Sequence, residues 1–132
     1  MSPNEKELQS LMERARRSLR SARNIFEDGD HDFAMSRAYY AMFYAATAAL
    51  PSQGITRTKH SGVIATFGQR LVKPGKMAAE HQRALQAAFQ DRNAGDYSGA
   101  FPSREEVEHR LQEAENFILA VTDFLKVEGV ED

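Results

Sequence analysis

The chain has 132 residues, of which 42% are hydrophobic and 27% charged, a balance typical of one folded domain and not of a disordered chain. Its net charge of -2 excludes a protein that binds nucleic acid through overall positive charge. The absence of cysteine excludes disulfides, thiolate zinc sites and cysteine nucleophiles. We therefore expect residues 1–132 to form a single all-α domain, an antiparallel bundle of about five helices.

The most apolar stretch of the sequence, 38–50, is too short to cross a membrane. As a helix it would span about 20 Å, whereas the hydrocarbon core of a bilayer is about 30 Å thick. The polar N-terminus also lacks the apolar run of a signal peptide. We expect a cytoplasmic protein with no membrane partner.

The first predicted helix runs from about Ser2 to Phe26. Ser2 and Glu5 have the spacing of a capping box, and Pro3 stands at the first helical position, where a missing N–H is tolerated. The apolar positions repeat with the helical period: Leu8, Leu11, Met12, Ala15, Leu19, Ala22 and Phe26. Five arginines mostly occupy the other side, and we interpret them as a solvated face and not as a nucleic-acid groove: Arg14, Arg16, Arg17, Arg20 and Arg23.

The second predicted helix, from about His31 to Leu50, has apolar side chains around most of its circumference. The stretch Glu27–Asp30 ends the first helix, and Asp30 is expected to cap the second. A helix that is apolar all round is buried all round, yet four neighbouring helices in so short a chain leave part of it uncovered. We therefore expect a homodimer. The large side chains are Phe33, Met35, Tyr39, Tyr40, Met42, Phe43 and Tyr44.

Three further helices are predicted. Thr58 can cap a short third helix that carries Val63, Ile64, Phe67 and Leu71 before the break at Pro74-Gly75. The fourth runs from about Met77 to Ala94, with Gly95 as a left-handed terminator and a loop after it. Ser103 and Glu106 form a second capping box, which begins the last helix. That helix buries Val107, Leu111, Ala114, Phe117, Ile118, Val121 and Leu125.

Two groups of residues could carry chemistry. Arg92 stands in the last turn of the fourth helix, where spacing alone favours a structural arginine paired with Asp96. His60, beside Lys59, opens the third helix and could move protons or help to hold an anion, although a solvated or capping histidine is the more usual role. The remaining histidines do not have metal-ligand spacing. No metal and no cofactor is expected.

Arg37, Tyr40 and Tyr44 lie on one face of the second helix at offsets of three and four. An arginine within such an aromatic stripe either stacks on the rings or pairs with a carboxylate across an interface. A structural role is the simpler interpretation of this pattern.

Three motifs in this order resemble the HEPN family, small helical proteins of prokaryotes and domains of higher eukaryotes described as nucleotide-binding. The motifs are 36–46 (Ser-Arg-Ala-Tyr-Tyr-Ala-Met-Phe-Tyr-Ala-Ala), 59–63 (Lys-His-Ser-Gly-Val) and 92–97 (Arg-Asn-Ala-Gly-Asp-Tyr). The resemblance implies a helical bundle that dimerises and brings two copies of the arginine motif toward one cleft. It also implies a partner, a minimal nucleotidyltransferase in a toxin–antitoxin pair.

Catalytically active members of this family are metal-independent ribonucleases in which four to six residues separate the arginine from a histidine. Here those positions hold Tyr97, Ser98 and Gly99, which resembles the arginine–aspartate–tyrosine branch of the family. A tyrosine, with an ordinary pKa of about 10, is a poor base at neutral pH. His60 could replace the missing histidine in space.

The resemblance leaves three hypotheses open. The first is a non-catalytic HEPN protein that binds a nucleotide, an RNA end or a nucleotidyltransferase. The second is a ribonuclease toxin with Arg92, Asp96 and Tyr97 at its centre, and the third is a purely structural dimerisation module. In the first two, Arg37, Lys59, His60 and Asn93 are the expected ligand-binding residues.

Overall fold

The computed structural model describes residues 3–55, 62–98 and 101–129, with the backbone alone for 3–4 and 93–98. A 3-10 turn follows α2 and a π-helical turn follows α3. Within those ranges there is no β-strand, so the prediction of an all-α fold with five helices is confirmed. The helices are α1 (Pro3–Glu27), α2 (His31–Ala49), α3 (Val63–Phe67), α4 (Ala79–Ser98) and α5 (Arg104–Val127).

The turn between α1 and α2 reverses the chain and makes the two helices an antiparallel pair. Gly29 adopts a left-handed conformation, φ +90°, which a residue with a Cβ rarely takes. Its N–H donates to the carbonyl of Phe26 at 3.0 Å, and the N–H of Asp30 donates to the carbonyl of Ile25 at 3.2 Å. These two bonds are those of a Schellman motif, so α1 ends where the sequence predicts.

The prediction that the side chain of Asp30 caps α2 is wrong. Asp30 stands at the N-cap position, but its side chain makes no capping hydrogen bond; its carbonyl accepts from Ala34 N–H at 3.0 Å. The backbone angles of Asp30, φ -86° and ψ 72°, lie outside the extended region in which a cap carboxylate reaches the next N–H groups. The side chain of Asp30 therefore does not hold the turn, which depends on the conformation of Gly29 and on backbone hydrogen bonds.

Helix α2 is the centre of the bundle and packs against α1, α4 and α5. Its alanines are fully buried, and these small side chains let the neighbouring helices approach closely. Only one strip of α2 reaches the surface: Phe33 is 63% exposed, and Arg37, Tyr40 and Tyr44 are half-buried. Part of α2 is therefore uncovered, as its sequence predicts, and the homodimer stays a prediction.

Helix α4 is displaced from its predicted limits. It begins at Ala79, after the turn at Gly75, and it continues through Gly95 to Ser98. The prediction that Gly95 terminates it is wrong. A glycine inside a helix costs only about 1 kcal/mol relative to alanine, which does not stop a helix by itself. Pro102, which cannot donate to a preceding carbonyl, is the first strong helix breaker after Ser98.

The start of α5 agrees with its predicted capping box. The N–H of Glu106 donates to Ser103 Oγ at 3.1 Å, and the N–H of Ser103 donates to Glu106 Oε1 at 3.4 Å. The predicted apolar face of α5 is buried, from Val107 to Leu125.

No helix in the described part of the chain is long and apolar enough to cross a membrane. Ser2 and Thr58, the other predicted caps, lie outside the described residues.

The capping box gives the first testable prediction. Ser103→Ala leaves Glu106 N–H without its acceptor and should lower the free energy of unfolding by about 1 kcal/mol. Ser10→Ala, at an exposed position inside α1, is the matched control and should be neutral. Urea denaturation followed by circular dichroism measures both. Equal stability of the two variants would contradict a stabilising cap.

Candidate functional site

Arg92 lies in the second half of α4, facing the aromatic side chains of α2. Its guanidinium carbon is 5.1 Å from the centre of the Tyr40 ring and 5.7 Å from that of Tyr39. Both distances fall within the range of a cation–π interaction. Two rings therefore bound the guanidinium of this partly buried side chain and restrict the positions that it can take.

Tyr39 forms the inner wall of this site. Its side chain is fully buried and also packs on the Phe89 ring of α4 at 5.8 Å. No group among the described residues forms a hydrogen bond with its hydroxyl. Burial raises the pKa of Tyr39 to about 12, although the nearby Arg92 charge opposes that rise. Tyr39 is therefore a neutral, apolar support for the guanidinium at physiological pH.

Tyr40 contacts a second arginine, on its own helix. The guanidinium carbon of Arg37 is 5.3 Å from the centre of the Tyr40 ring. Of the two interpretations that the sequence leaves open for Arg37, stacking on a ring is the one that the structure shows. Tyr40 in turn lies 6.3 Å from Tyr44, and Arg14 of α1 covers Tyr44 at 5.6 Å.

An ion-pair cluster around the buried side chain of Arg110 links α4 to α5 next to Arg92. Arg110 of α5 is 7% exposed, and its guanidinium donates to Asp91 of α4 and, at 2.5 Å, to Glu113. Asp91 immediately precedes Arg92 in the sequence. A buried guanidinium needs carboxylate partners to offset its desolvation, so the cluster constrains the position of α4 on α5. The burial of Arg110 is not predicted by the sequence, because an arginine among charged neighbours on a helix is typical of a solvated face.

The other predicted site residues cannot be placed against Arg92 by their side chains. Asn93, Asp96 and Tyr97 lie on α4, with Asp96 one helical turn after Arg92, but their side chains are outside the described part of the structure. Lys59 and His60 lie outside it altogether. The predicted pairing of Arg92 with Asp96 and the replacement of the missing histidine by His60 therefore stay predictions.

Of the three histidines that the structure describes, His109 is exposed and lies 3.5 Å from Glu113, and the other two pack on aromatic rings. His31 stacks on Phe26 at 5.2 Å, and His81 meets the edge of Phe117 at 5.9 Å. Among the described residues there is no group of three histidine, aspartate or glutamate side chains that could hold a metal ion. The chemistry that this arrangement offers is the binding of an anion by an oriented guanidinium, which pairs well with phosphate oxygens.

Comparison with known proteins identifies a protein family that this chain matches. The family model described as HEPN domain matches residues 8–124. A UPF0332 protein of Gloeobacter violaceus is 37% identical over 90% of this chain and 96% of its own length. Two proteins of Methanocaldococcus jannaschii, each named "Putative toxin", are 32% and 35% identical; the matches cover 91% of this chain in both cases, and 82% and 90% of those proteins.

The buried hydroxyl of Tyr39 predicts a pH effect. The pKa is about 10 in the unfolded chain and about 12 in the folded one, so this contribution to stability is complete below pH 10 and is lost as the pH rises to 12. At pH 11, midway between the two pKa values, wild type should have lost about 1 kcal/mol of this contribution, and Tyr39→Phe should lose none of it. At pH 8 the variant should be as stable as wild type or slightly more, since no group in the described part of the chain bonds to the hydroxyl.

Urea denaturation at pH 8 and pH 11 measures this difference. Tyr44→Phe is the matched control, because it removes a tyrosine hydroxyl from the same helix and leaves Tyr39 in place. It should show the same alkaline loss as wild type. An equal alkaline loss in Tyr39→Phe would show that Tyr39 is not its source.

The Arg110 cluster predicts a stability effect. Asp91→Ala leaves the buried guanidinium with Glu113 alone and should lower the free energy of unfolding by about 1–3 kcal/mol. Glu108→Ala is the control, since it removes an exposed pair with Arg104 that contributes less than about 1 kcal/mol. Thermal unfolding of wild type and of both variants measures these changes in stability. A cost for Asp91→Ala no larger than that of the control would contradict a structural role for the cluster.

Proposed function

This chain belongs to the HEPN family, and we propose that it is a binding protein of a toxin–antitoxin-like system that holds a nucleotide or an RNA end at Arg92 and does not cleave RNA. One observation carries the proposal: the Arg92 guanidinium packs on the rings of Tyr39 and Tyr40. The relatives named as toxins support the part of the proposal that places this chain in a toxin–antitoxin-like system.

The packing of Arg92 suits phosphate binding for a physical reason. A free arginine side chain loses about 2 kcal/mol of rotamer entropy when it is held in one geometry. The two tyrosine rings already hold this one, so less of that cost falls on ligand binding. A guanidinium is also the side-chain group that donates in pairs to phosphate oxygens.

The proposal of a non-catalytic protein rests on the residues after Arg92. The positions where the family resemblance requires a histidine hold Tyr97, Ser98 and Gly99. His81, on the same helix, stands eleven residues earlier, a distance of about 16 Å along the helix axis. At that distance it could not share a scissile phosphate with Arg92 in the same subunit, because proton transfer requires hydrogen-bond contact.

The proposed partners are a second copy of the chain and a minimal nucleotidyltransferase. The surface strip of α2 supports the first: Phe33 is 63% exposed, and Tyr40 and Tyr44 are half-buried. Aromatic side chains with arginine beside them are enriched in protein interfaces. The second partner follows from the family resemblance alone.

A metal-independent ribonuclease is the alternative, and the relatives named as toxins favour it. In that case Arg92 would stabilise the charge that develops on the phosphate, and Asp96, Tyr97 or His60 would move the proton. Incubation with labelled single-stranded and structured RNA in EDTA distinguishes the two functions. Cleavage by wild type and not by Arg92→Ala would overturn the binding-only proposal.

The binding proposal predicts the behaviour of three variants. Arg92→Ala should weaken nucleotide or RNA binding by about tenfold or more, because a charged hydrogen-bond donor is lost. Arg92→Lys should recover only part of it, since lysine keeps the charge without the planar pair of donors. Arg83→Ala, an exposed arginine on the same helix, is the control and should bind normally.

Isothermal titration calorimetry with common nucleotides and short RNA measures these affinities, and circular dichroism verifies that each variant folds. If wild type binds none of them, or if Arg92→Ala and Arg83→Ala behave alike, Arg92 is not a ligand-binding residue.

A further inference from the structure

We propose that Arg110 of α5 is a positioning residue for Arg92. Through its ion pair with Asp91 it fixes the rotation of α4 about its own axis, and so it holds the Arg92 guanidinium on the rings of α2. This inference deepens the proposed function and rests on it only where ligand binding is measured, because the placement of Arg92 can be observed without a ligand. What it adds is a third helix, α5, to a site that α2 and α4 build.

Two consecutive residues of α4 contact two different helices. The Arg92 guanidinium lies over the Tyr39 and Tyr40 rings of α2. The Asp91 carboxylate accepts a hydrogen bond from the Arg110 guanidinium of α5. Consecutive side chains leave a helix about 100° apart, so these contacts hold α4 on two different sides. A helix that is held on one side can roll about that contact, whereas a helix held on two sides at almost the same level cannot.

The stretch of α4 around Arg92 has few apolar side chains to fix its rotation. Phe89 is the last apolar side chain larger than alanine before Tyr97. The residues between Arg92 and Tyr97 are Asn-Ala-Gly-Asp, and three of these four have low helix propensity. Helix α4 also packs less extensively on α5 than on α2. The rotation of this stretch therefore depends on contacts that polar side chains make.

The energetics of burying Arg110 argue against a role in stability alone. Its side chain is buried, and its hydrogen bonds go to the carboxylates of Asp91 and Glu113. Such a cluster gains little over apolar side chains of similar volume, because the removal of the charges from water offsets much of their attraction. Its hydrogen bonds do, however, require a particular distance and direction, which apolar packing does not. Orientation is therefore what the cluster provides and an apolar contact would not.

The test removes all three charges of the cluster together. The neutral triple variant, Arg110→Met with Asp91→Asn and Glu113→Gln, keeps similar side-chain sizes and leaves none of these charges without its partner. Its stability should therefore stay close to that of wild type. The matched control is Arg23→Met with Glu115→Gln, which removes an exposed ion pair that also joins two helices. Thermal unfolding measures the stability of both.

The placement of Arg92 is measured by its side-chain Nε–Hε signal in a nitrogen–proton NMR correlation spectrum. The guanidinium carbon is 5.1 and 5.7 Å from two ring centres, so ring currents shift this signal away from that of an exposed arginine. Arg92→Lys lacks the signal and thereby assigns it. In the neutral triple variant the signal should move at least halfway to the position of an exposed arginine. In the control it should not move.

Ligand binding should change in parallel with this signal. The probe is a uridine tetranucleotide with a terminal phosphate at one end and fluorescein at the other, and fluorescence anisotropy measures its affinity. The neutral triple variant should bind it about fivefold more weakly than wild type, since a misplaced binding group contributes less. Arg110→Lys keeps the charge but loses the planar pair of donors. It should lie between wild type and the triple variant in affinity and in the Arg92 signal.

An unchanged Arg92 signal with unchanged affinity in the neutral triple variant would overturn the positioning role. A stability far below that of the control, with the signal in place, would assign the cluster to stability and also overturn it. If the triple variant does not fold, Arg110→Lys decides, and an Arg92 signal that does not move in that variant would sink the proposal. If wild type and Arg92→Ala bind the probe equally, the proposed function fails, and the NMR signal alone decides the role of Arg110.

Discussion

The burial of α2 is the constraint on which the rest of the structure depends. This helix is apolar around most of its circumference, so it must be covered on nearly every side, and α1, α4 and α5 provide that cover. Its alanines let those helices come close, while Tyr39, Met42 and Leu50 fill the larger spaces between them. The positions of the other helices follow from this requirement.

The candidate site lies where this burial stops. Tyr39 is inside the bundle and Tyr40, its neighbour in sequence, is at the edge, so one helix provides both the apolar support and the accessible ring of the same site. The guanidinium of Arg92 contacts both the Tyr39 ring and the Tyr40 ring. The Asp91–Arg110 pair holds the same stretch of α4 on α5. A charged side chain at the margin of a core is thus oriented by packing on one side, while its other side faces away from the core.

Local patterns predicted most of the helices because helix ends depend on neighbouring residues. The Schellman turn at Gly29 and the capping box at Ser103 are encoded within six consecutive residues each, and both are present. The two errors have the same origin. Gly95 and Asp30 are residue types typical of a terminator and a cap, but α4 continues through Gly95 and the Asp30 side chain makes no capping hydrogen bond, because residue type alone does not fix the backbone conformation.

The sequence by itself determined the all-α class, the central position of α2 and the three motifs that resemble the HEPN family, because periodicity and motif order are properties of the chain. It also placed Arg37 beside Tyr40, one turn apart on one helix. Only the tertiary structure decided that Arg92 covers Tyr39 and Tyr40, that Arg14 covers Tyr44 and that Arg110 is buried. Periodicity shows which face of a helix is buried, but the partner of that face depends on how separate helices pack.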